Sequence, residues 1–328
     1  MKKLLSAGLC LSMFLLAGCQ GQPQDTTLTI TDQAGREVTF EEPCQTAASG
    51  YYITTTIMIG LQQQDKLTGI EMKPETRPIY AKAAEEILDL PQLGNKKMFN
   101  VEECAKADPD VVFLPVSLES YVEELEALDI PVVLLEPETA DDFEEAVEII
   151  GKVMGCEDKV DEYKQYEEDL LEKYELDEVE EEPTVYFAGS GLLTCATDDM
   201  YQGEILSYAQ ADNAIDAEGS SWVNIDIETL LAANPDYVFI EAGSLSADDF
   251  KNDARVQELQ AVQNDHVYVF PSTLETWDTP SLSSCLGKLW AASILHPELV
   301  SMDDVEAEAV AFYEQFYSFT PEAQDLAL

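Results

Sequence analysis

The chain has 328 residues, enough for two ordinary domains, and its 46% hydrophobic content is that of a folded globular protein. With 66 acidic residues against 17 basic ones the formal net charge is −49, which excludes binding to nucleic acid or to an anionic membrane surface through bulk electrostatics. An acidic balance of this size favours solubility and says little about fold.

At the start of the chain, Lys2 and Lys3 precede an apolar run from Leu4 to Leu16 that is too short for a comfortable transmembrane helix. The run ends in Leu16-Ala17-Gly18-Cys19, which resembles the lipobox of bacterial lipoproteins, where the cysteine becomes the lipid-modified first residue of the mature chain. Residues 1–19 are therefore expected to form a signal peptide and lipobox, with lipid on Cys19 anchoring the protein to the outer face of the cell membrane. Residues 20–27 read as a polar tether. The remaining cysteines, Cys44, Cys104, Cys156, Cys195 and Cys285, are odd in number and scattered. With no CxxC pair, a zinc ribbon or a thioredoxin-like redox motif is excluded, and buried free thiols are a simpler expectation than disulfides.

The runs Leu28–Asp32 and Glu37–Phe40 alternate around Gln33-Ala34-Gly35-Arg36 and predict a β-hairpin. Strands are then predicted at 67–70, 111–114 and 132–135, alternating with helices at 80–90, 101–107, 119–128 and 140–154. A second series follows, with strands at 184–187, 237–240 and 267–270, helices near 202–210 and 255–261, and a final helical portion from about Ser281. Four-residue apolar runs between helices are the pattern of strands covered on both faces of a mostly parallel sheet. Between the two series, residues 156–178 contain no Gly or Pro, and Val160, Tyr163, Leu170, Leu171 and Tyr174 fall on one face of a helical period. The expected architecture is therefore α/β: an N-terminal Rossmann-like lobe at 28–155, a rigid inter-lobe helix at 156–178 and a C-terminal lobe at 179–328.

An internal echo links the lobes. Asn100-Val-Glu-Glu-Cys-Ala-Lys-Ala-Asp-Pro-Asp-Val-Val-Phe-Leu114 aligns without gaps on Asp226-Ile-Glu-Thr-Leu-Leu-Ala-Ala-Asn-Pro-Asp-Tyr-Val-Phe-Ile240, matching Glu102 to Glu228. Each copy reads as a short helix capped by Asn100 or Asp226, with an acid in its first turn, stopped before Pro-Asp and feeding a buried strand.

The order of these features resembles the solute-binding lipoproteins of ABC importers for iron–siderophore, haem and cobalamin, whose two lobes are bridged by one long helix. The resemblance covers roughly residues 28–300. It rests on the lipobox, the opening Thr31-Asp-Gln-Ala-Gly-Arg-Glu-Val38, the echoed pair, Asp265-His-Val-Tyr-Val-Phe270 and Trp290-Ala-Ala-Ser-Ile-Leu-His-Pro-Glu298. It implies a monomer that captures a small-molecule ligand between its lobes and delivers it to a dimeric transmembrane permease with its ATPase. Carried over by position, Glu102 and Glu228 would meet arginines of that permease.

Ligands of such α/β proteins sit against loops at the carboxyl ends of strands. Those loops nominate Tyr51, Tyr52, Arg77 and Tyr80 in the first lobe and Ser190, Trp222 and Trp277 in the second. Arg77 suits a carboxylate or phosphate, and the aromatic residues suit the flat wall of a macrocycle or catecholate. Lys66, Lys73, Lys82, Lys96 and Lys97 crowd around Arg77 in the sequence, so a local positive patch is expected in an otherwise acidic chain. Only His266 and His296 exist, both in structural contexts, so no metal site of the protein's own and no cofactor are expected; a metal would arrive chelated. An oxyanion such as molybdate or tungstate is the alternative ligand, and a cell-surface adhesion or scaffold lipoprotein the alternative class. No GxSxG, Walker loop, HExxH or dinucleotide fingerprint is present, so an enzyme is not expected. Changing Cys19→Ser should release the protein from membranes; unchanged partitioning into detergent would refute the anchor.

Overall fold

The computed structural model describes residues 27–176, 179, 182–217, 219 and 221–328. Cys19, nearly all of the tether and positions 177 and 178 of the expected inter-lobe helix lie outside them. The first lobe opens with the hairpin β1 (Leu28–Thr31) and β2 (Glu37–Phe40), paired antiparallel. Its main sheet is built from β3 (Ala47–Ser49) and β4 (Leu67–Gly69), separated by α1 (Tyr52–Gly60). After α2 (Pro78–Ala83), a small hairpin of β5 (Gly94–Asn95) and β6 (Met98–Phe99) leads to α3 (Val101–Ala107) and β7 (Val111–Pro115). Helix α4 (Val122–Glu126) and β8 (Val132–Leu135) complete it. The sheet order is β4-β3-β7-β8, all parallel, and every residue of β7 and β8 is buried, because helices cover both faces.

Helices α5 (Ala140–Met154) and α6 (Glu157–Lys173) follow, broken by Gly155 in the left-handed region at φ 63°. The inter-lobe helix is shorter than its sequence suggests: Tyr174, at φ −114° and ψ 34°, has left the helix although its spacing fits the apolar face. Periodicity marks which residues face the core, whereas the helix ends where Tyr174 turns its hydroxyl onto Glu308 at 3.0 Å.

The second lobe has a six-stranded sheet. It comprises β9 (Thr184–Ala188), β10 (Thr194–Cys195), β11 (Asp212–Asn213), β12 (Val223–Asn224), β13 (Tyr237–Ile240) and β14 (Val267–Val269). β11, β9, β13 and β14 run parallel, while β10 and β12 form an antiparallel edge. Helices α7 (Tyr201–Tyr208), α8 (Ile227–Ala233), α9 (Ala247–Asn252) and α10 (Gln260–Gln263) connect the strands. Helices α11 (Ser284–Leu295), α12 (Met302–Tyr317) and α13 (Ala323–Leu326) close the chain. The helix expected near 255–261 is instead α9 and α10 on either side of a turn.

The lobes are held by more than α6. One buried apolar cluster runs from Ile57 and Met58 of α1 through Val160, Tyr163 and Leu170 of α6 to Leu286 of α11 and Phe312 and Phe316 of α12. Tyr166 sits edge-on to Phe316 at 5.2 Å, and Tyr163 does the same at 5.9 Å. Gly60 of α1 lies so close to Leu282 and the Tyr317 hydroxyl that an added Cβ would stand 2.8 Å from the Leu282 side chain. The N-terminal lobe therefore packs directly on the C-terminal helices.

Both copies of the echo fold alike. The Asn100 side chain accepts from Glu103 N and the Asp226 side chain from Thr229 N; Asp108 and Asn234 end the helices in the left-handed region, at φ 48° and 44°. All five cysteines from Cys44 onward are buried and unpaired, as the sequence suggests.

Candidate ligand site

The loops after β3 and β4 meet around Tyr52 and Arg77. Tyr51 precedes α1 and Tyr52 begins it; their rings pack edge-on at 5.3 Å. Arg77 is held by prolines on both sides, Pro74 opening a 3₁₀ turn and Pro78 opening α2. Its guanidinium lies over the Tyr52 ring, 3.9 Å from the centroid, and Lys96 of the β5–β6 turn lies 5.0 Å from the centre of Tyr51. Tyr51, Tyr52, Glu71, Met72, Arg77, Lys96 and Lys97, with Gly50 and Asn95, line a cavity of 410 Å³. A second cavity of 220 Å³ shares Tyr52 and Arg77 and continues between the lobes, against Ser272–Thr276 and Thr279–Ser281 of the β14–α11 loop. Ile79 N donates across the lobes to Leu274 O at 3.3 Å.

Arg77 makes no ion pair among the described residues, although acids outnumber bases almost four to one. The acid beneath it is Glu71, buried at the end of β4. Thr55 donates to its Oε2 and the Tyr80 hydroxyl to its Oε1, each at 2.7 Å. Burial raises the Glu71 carboxyl above the usual range, while those two bonds and the Arg77 charge oppose the shift. Burial also raises the Tyr52 hydroxyl, against the pull of Lys96 and Arg77. The pole of positive charge is thus open to a ligand. Beyond its place over Tyr51, Lys96 makes an exposed ion pair with Glu138 at 3.3 Å, of the kind worth about 0–1 kcal/mol.

Other residues singled out in the sequence lie elsewhere. Tyr80 is fully buried on Glu71 and supports the site from below instead of walling it. Trp277 is fully buried and donates from Nε1 to the Tyr313 hydroxyl at 3.0 Å; it belongs to the core because α12 folds back over the loop carrying it. Trp222 packs over Gly189, where a Cβ would meet its ring, and Ser190 is exposed beside it; neither lines the two cavities. Of the basic cluster, Lys66 donates to Met154 O and Lys82 pairs with Asp325, while Lys73 lies outside the linings of both cavities, so the positive patch at the cavities reduces to Arg77, Lys96 and Lys97. Glu71 escaped sequence reading because a lone Glu after a strand looks like any surface acid; only its partners reveal it. Glu102 and Glu228 are both exposed in the first turns of α3 and α8, and Glu102 lines an open hollow with Met72, Met98 and Phe99. His266 contacts Asp236 O at 3.1 Å and stacks on Tyr237, and His296 contacts Ala209 O at 2.9 Å, both as structural groups.

The sequence profile described as periplasmic binding protein matches residues 48–274, most of the chain. The chain belongs to that family. It is 23% identical over 324 residues to the molybdate-binding protein MolA of Haemophilus influenzae, covering 89% of this chain and 92% of MolA. In fold it is similar to a periplasmic solute-binding protein from Veillonella parvula, with a TM-score of 0.79, 20% identity and coverage of 92% and 97%. It is also similar to Helicobacter pylori CeuE in a nickel–histidine complex, with a TM-score of 0.72, 19% identity and coverage of 91% and 97%. As a periplasmic binding protein the chain is an extracytoplasmic, non-enzymatic solute-binding component of an ABC importer. Its partners are a small-molecule ligand and a membrane permease. No helix among the described residues is long and apolar enough to cross a membrane.

The β14–α11 loop also carries two acids that the sequence does not single out. Among the described residues neither carboxyl oxygen of Glu275 accepts a well-formed hydrogen bond, although the Ser283 and Tyr317 hydroxyls lie close enough to oppose its shift, and Asp278 accepts through Oδ2 from Ala242 N at 2.9 Å. Burial pushes each carboxyl up to about 7. A raised carboxyl holds its proton more tightly in the folded state, so its contribution to stability is intact below the unfolded value of 4.5 and declines as pH rises towards 7. For Glu275 the loss is about 3 kcal/mol in all. Glu275→Gln should therefore be more stable than wild type at pH 8 and close to it at pH 4, with Asp278 leaving a residual slope. Urea denaturation at the two pH values checks this, and an unaltered pH dependence in the variant would exclude Glu275 as a source.

Proposed function

We propose that this periplasmic binding protein captures a small anionic metal chelate between its lobes, with Arg77 as the principal anion contact and Lys96 and Lys97 as supporting charges. The observation that carries the reading is an Arg77 guanidinium with no ion pair among the described residues, stacked on Tyr52 at the junction of two cavities. A 410 Å³ cavity with tyrosine walls lies in the range that encloses an organic ligand, and its cations favour a ligand of negative charge. Within the wider class of iron chelates, haem and corrinoids, this favours the smaller and more anionic members. A bare oxyanion of the molybdate or tungstate type is the second reading, favoured by the similarity to MolA. Native mass spectrometry and titration with an anionic iron chelate and with molybdate separate the two.

The proposed delivery runs through Glu102 and Glu228, one on each lobe, to arginines of a two-fold permease, with the protein acting as a monomer held to the membrane through lipid on Cys19. Support comes from the matching side-chain caps and first-turn positions of α3 and α8. Each helix N-terminus favours an ionised acid, and each acid is exposed for a partner.

Arg77→Ala should weaken ligand binding by about 1.5–3 kcal/mol, with Arg77→Lys restoring part of it because the planar, stacked group is lost. Wild-type affinity in the alanine variant, measured by calorimetry, would remove Arg77 from the site. The Glu102→Ala, Glu228→Ala double variant should keep ligand affinity and Tm while losing transport in reconstituted vesicles, more than either single change. Full transport would refute docking through these acids.

A further inference from the structure

The two cavities meeting at Arg77 differ in chemistry. In the larger one Arg77, Lys96 and Lys97 all carry protons to give. The smaller one, which Arg77 also lines, is otherwise walled largely by hydroxyls, and several of their protons are committed. Thr56 donates to Ile53 O and Thr76 to Lys73 O, each at 2.8 Å, and Ser272 donates to Glu275 O at 2.9 Å. The Thr276 and Thr279 hydroxyls share a hydrogen bond at 2.8 Å in which either can donate, and Thr279 also lies within 3.2 Å of Thr276 O. A hydroxyl whose proton is spent still offers lone pairs, so these side chains are acceptors. Turning one of them towards an anion would cost the bond it already makes.

We infer that the smaller cavity is a subsite for a hydrogen-bond-donating arm of the ligand, an ammonium or amine group, while the metal-bearing anionic part occupies the larger cavity beyond Arg77. The inference rests on the anionic-chelate reading and narrows it to chelates that carry a donor arm. A bare oxyanion would meet Arg77 and then a row of oxygen lone pairs, so this cavity is built against it. Both lobes supply acceptors, Thr56 and Thr76 from one and Ser272, Thr276 and Thr279 from the other, so an arm seated there would touch both.

The test compares two iron(III) catecholates matched at the metal, one made with 4-(2-aminoethyl)catechol and one with 4-ethylcatechol, titrated into the full chain at one pH and ionic strength. The aminoethyl chelate should bind at least ten-fold more tightly. In the Thr56→Val, Thr276→Val double variant, whose fold is checked by its thermal melt, the ratio of the two affinities should fall to about one. Equal affinities in the wild type would overturn the subsite, and so would a preference that survives in the double variant, since that would be general attraction to an acidic surface. Arg77→Ala should weaken both chelates alike; if it does so while the two bind equally, the subsite fails and the anionic-chelate reading stands. Binding of molybdate with neither chelate bound would overturn both.

Discussion

The continuous apolar core shared by the two lobes is the constraint on which the rest of the structure depends. Tyr163 and Tyr166 of α6, Phe312 and Phe316 of α12 and the close approach at Gly60 make one packed interior out of segments that lie far apart in the chain. Each large side chain buried there contributes about 1.5–3 kcal/mol, and the share of that burial made across the lobe boundary is lost if the lobes separate. A cavity between lobes so joined is largely preformed, and its walls need little ordering when a ligand arrives. Helix α6 alone, exposed along much of its length, would be a weaker brace.

Within that frame the electrostatics are local. A net charge of −49 spread over the surface is screened beyond about 8–10 Å, whereas the groups around Arg77 act at contact distance. What keeps Arg77 available is that the Glu71 carboxyl beneath it already accepts from Thr55 and Tyr80, and that the Pro74–Pro78 loop fixes the arginine against Tyr52. Elsewhere the cations are spent on ordinary pairs such as Lys82–Asp325 and Lys164–Glu148. The site is therefore the place where the charge ledger is deliberately left open.

Sequence by itself determined the elements whose cause is local. The buried strands at 111–115 and 237–240 are legible as apolar runs, and the two echoed helices declare themselves through Asn100 and Asp226 at one end and Asp108 and Asn234 at the other. Capping needs only residues three or four apart, so a single chain of letters contains the whole interaction. The same holds for the proline-bracketed Arg77 and for the family resemblance, which is a matter of order along the chain.

Tertiary structure alone decided which residues face the ligand. Trp277 and Tyr51 look equivalent as aromatics in loops after strands, yet α12 covers Trp277 with Tyr313 from 36 positions away, while Tyr51 keeps a face on the cavity. Glu71, Glu275 and Asp278 read as three more acids in an acidic chain until burial sets them apart, with buried donors on Glu71 and unpartnered oxygens on Glu275 and Asp278. The direction of a hydroxyl proton is equally hidden, because it depends on which carbonyl the folded backbone brings within reach. Burial and hydrogen-bond satisfaction are properties of neighbours in space, and those neighbours come from distant parts of the chain.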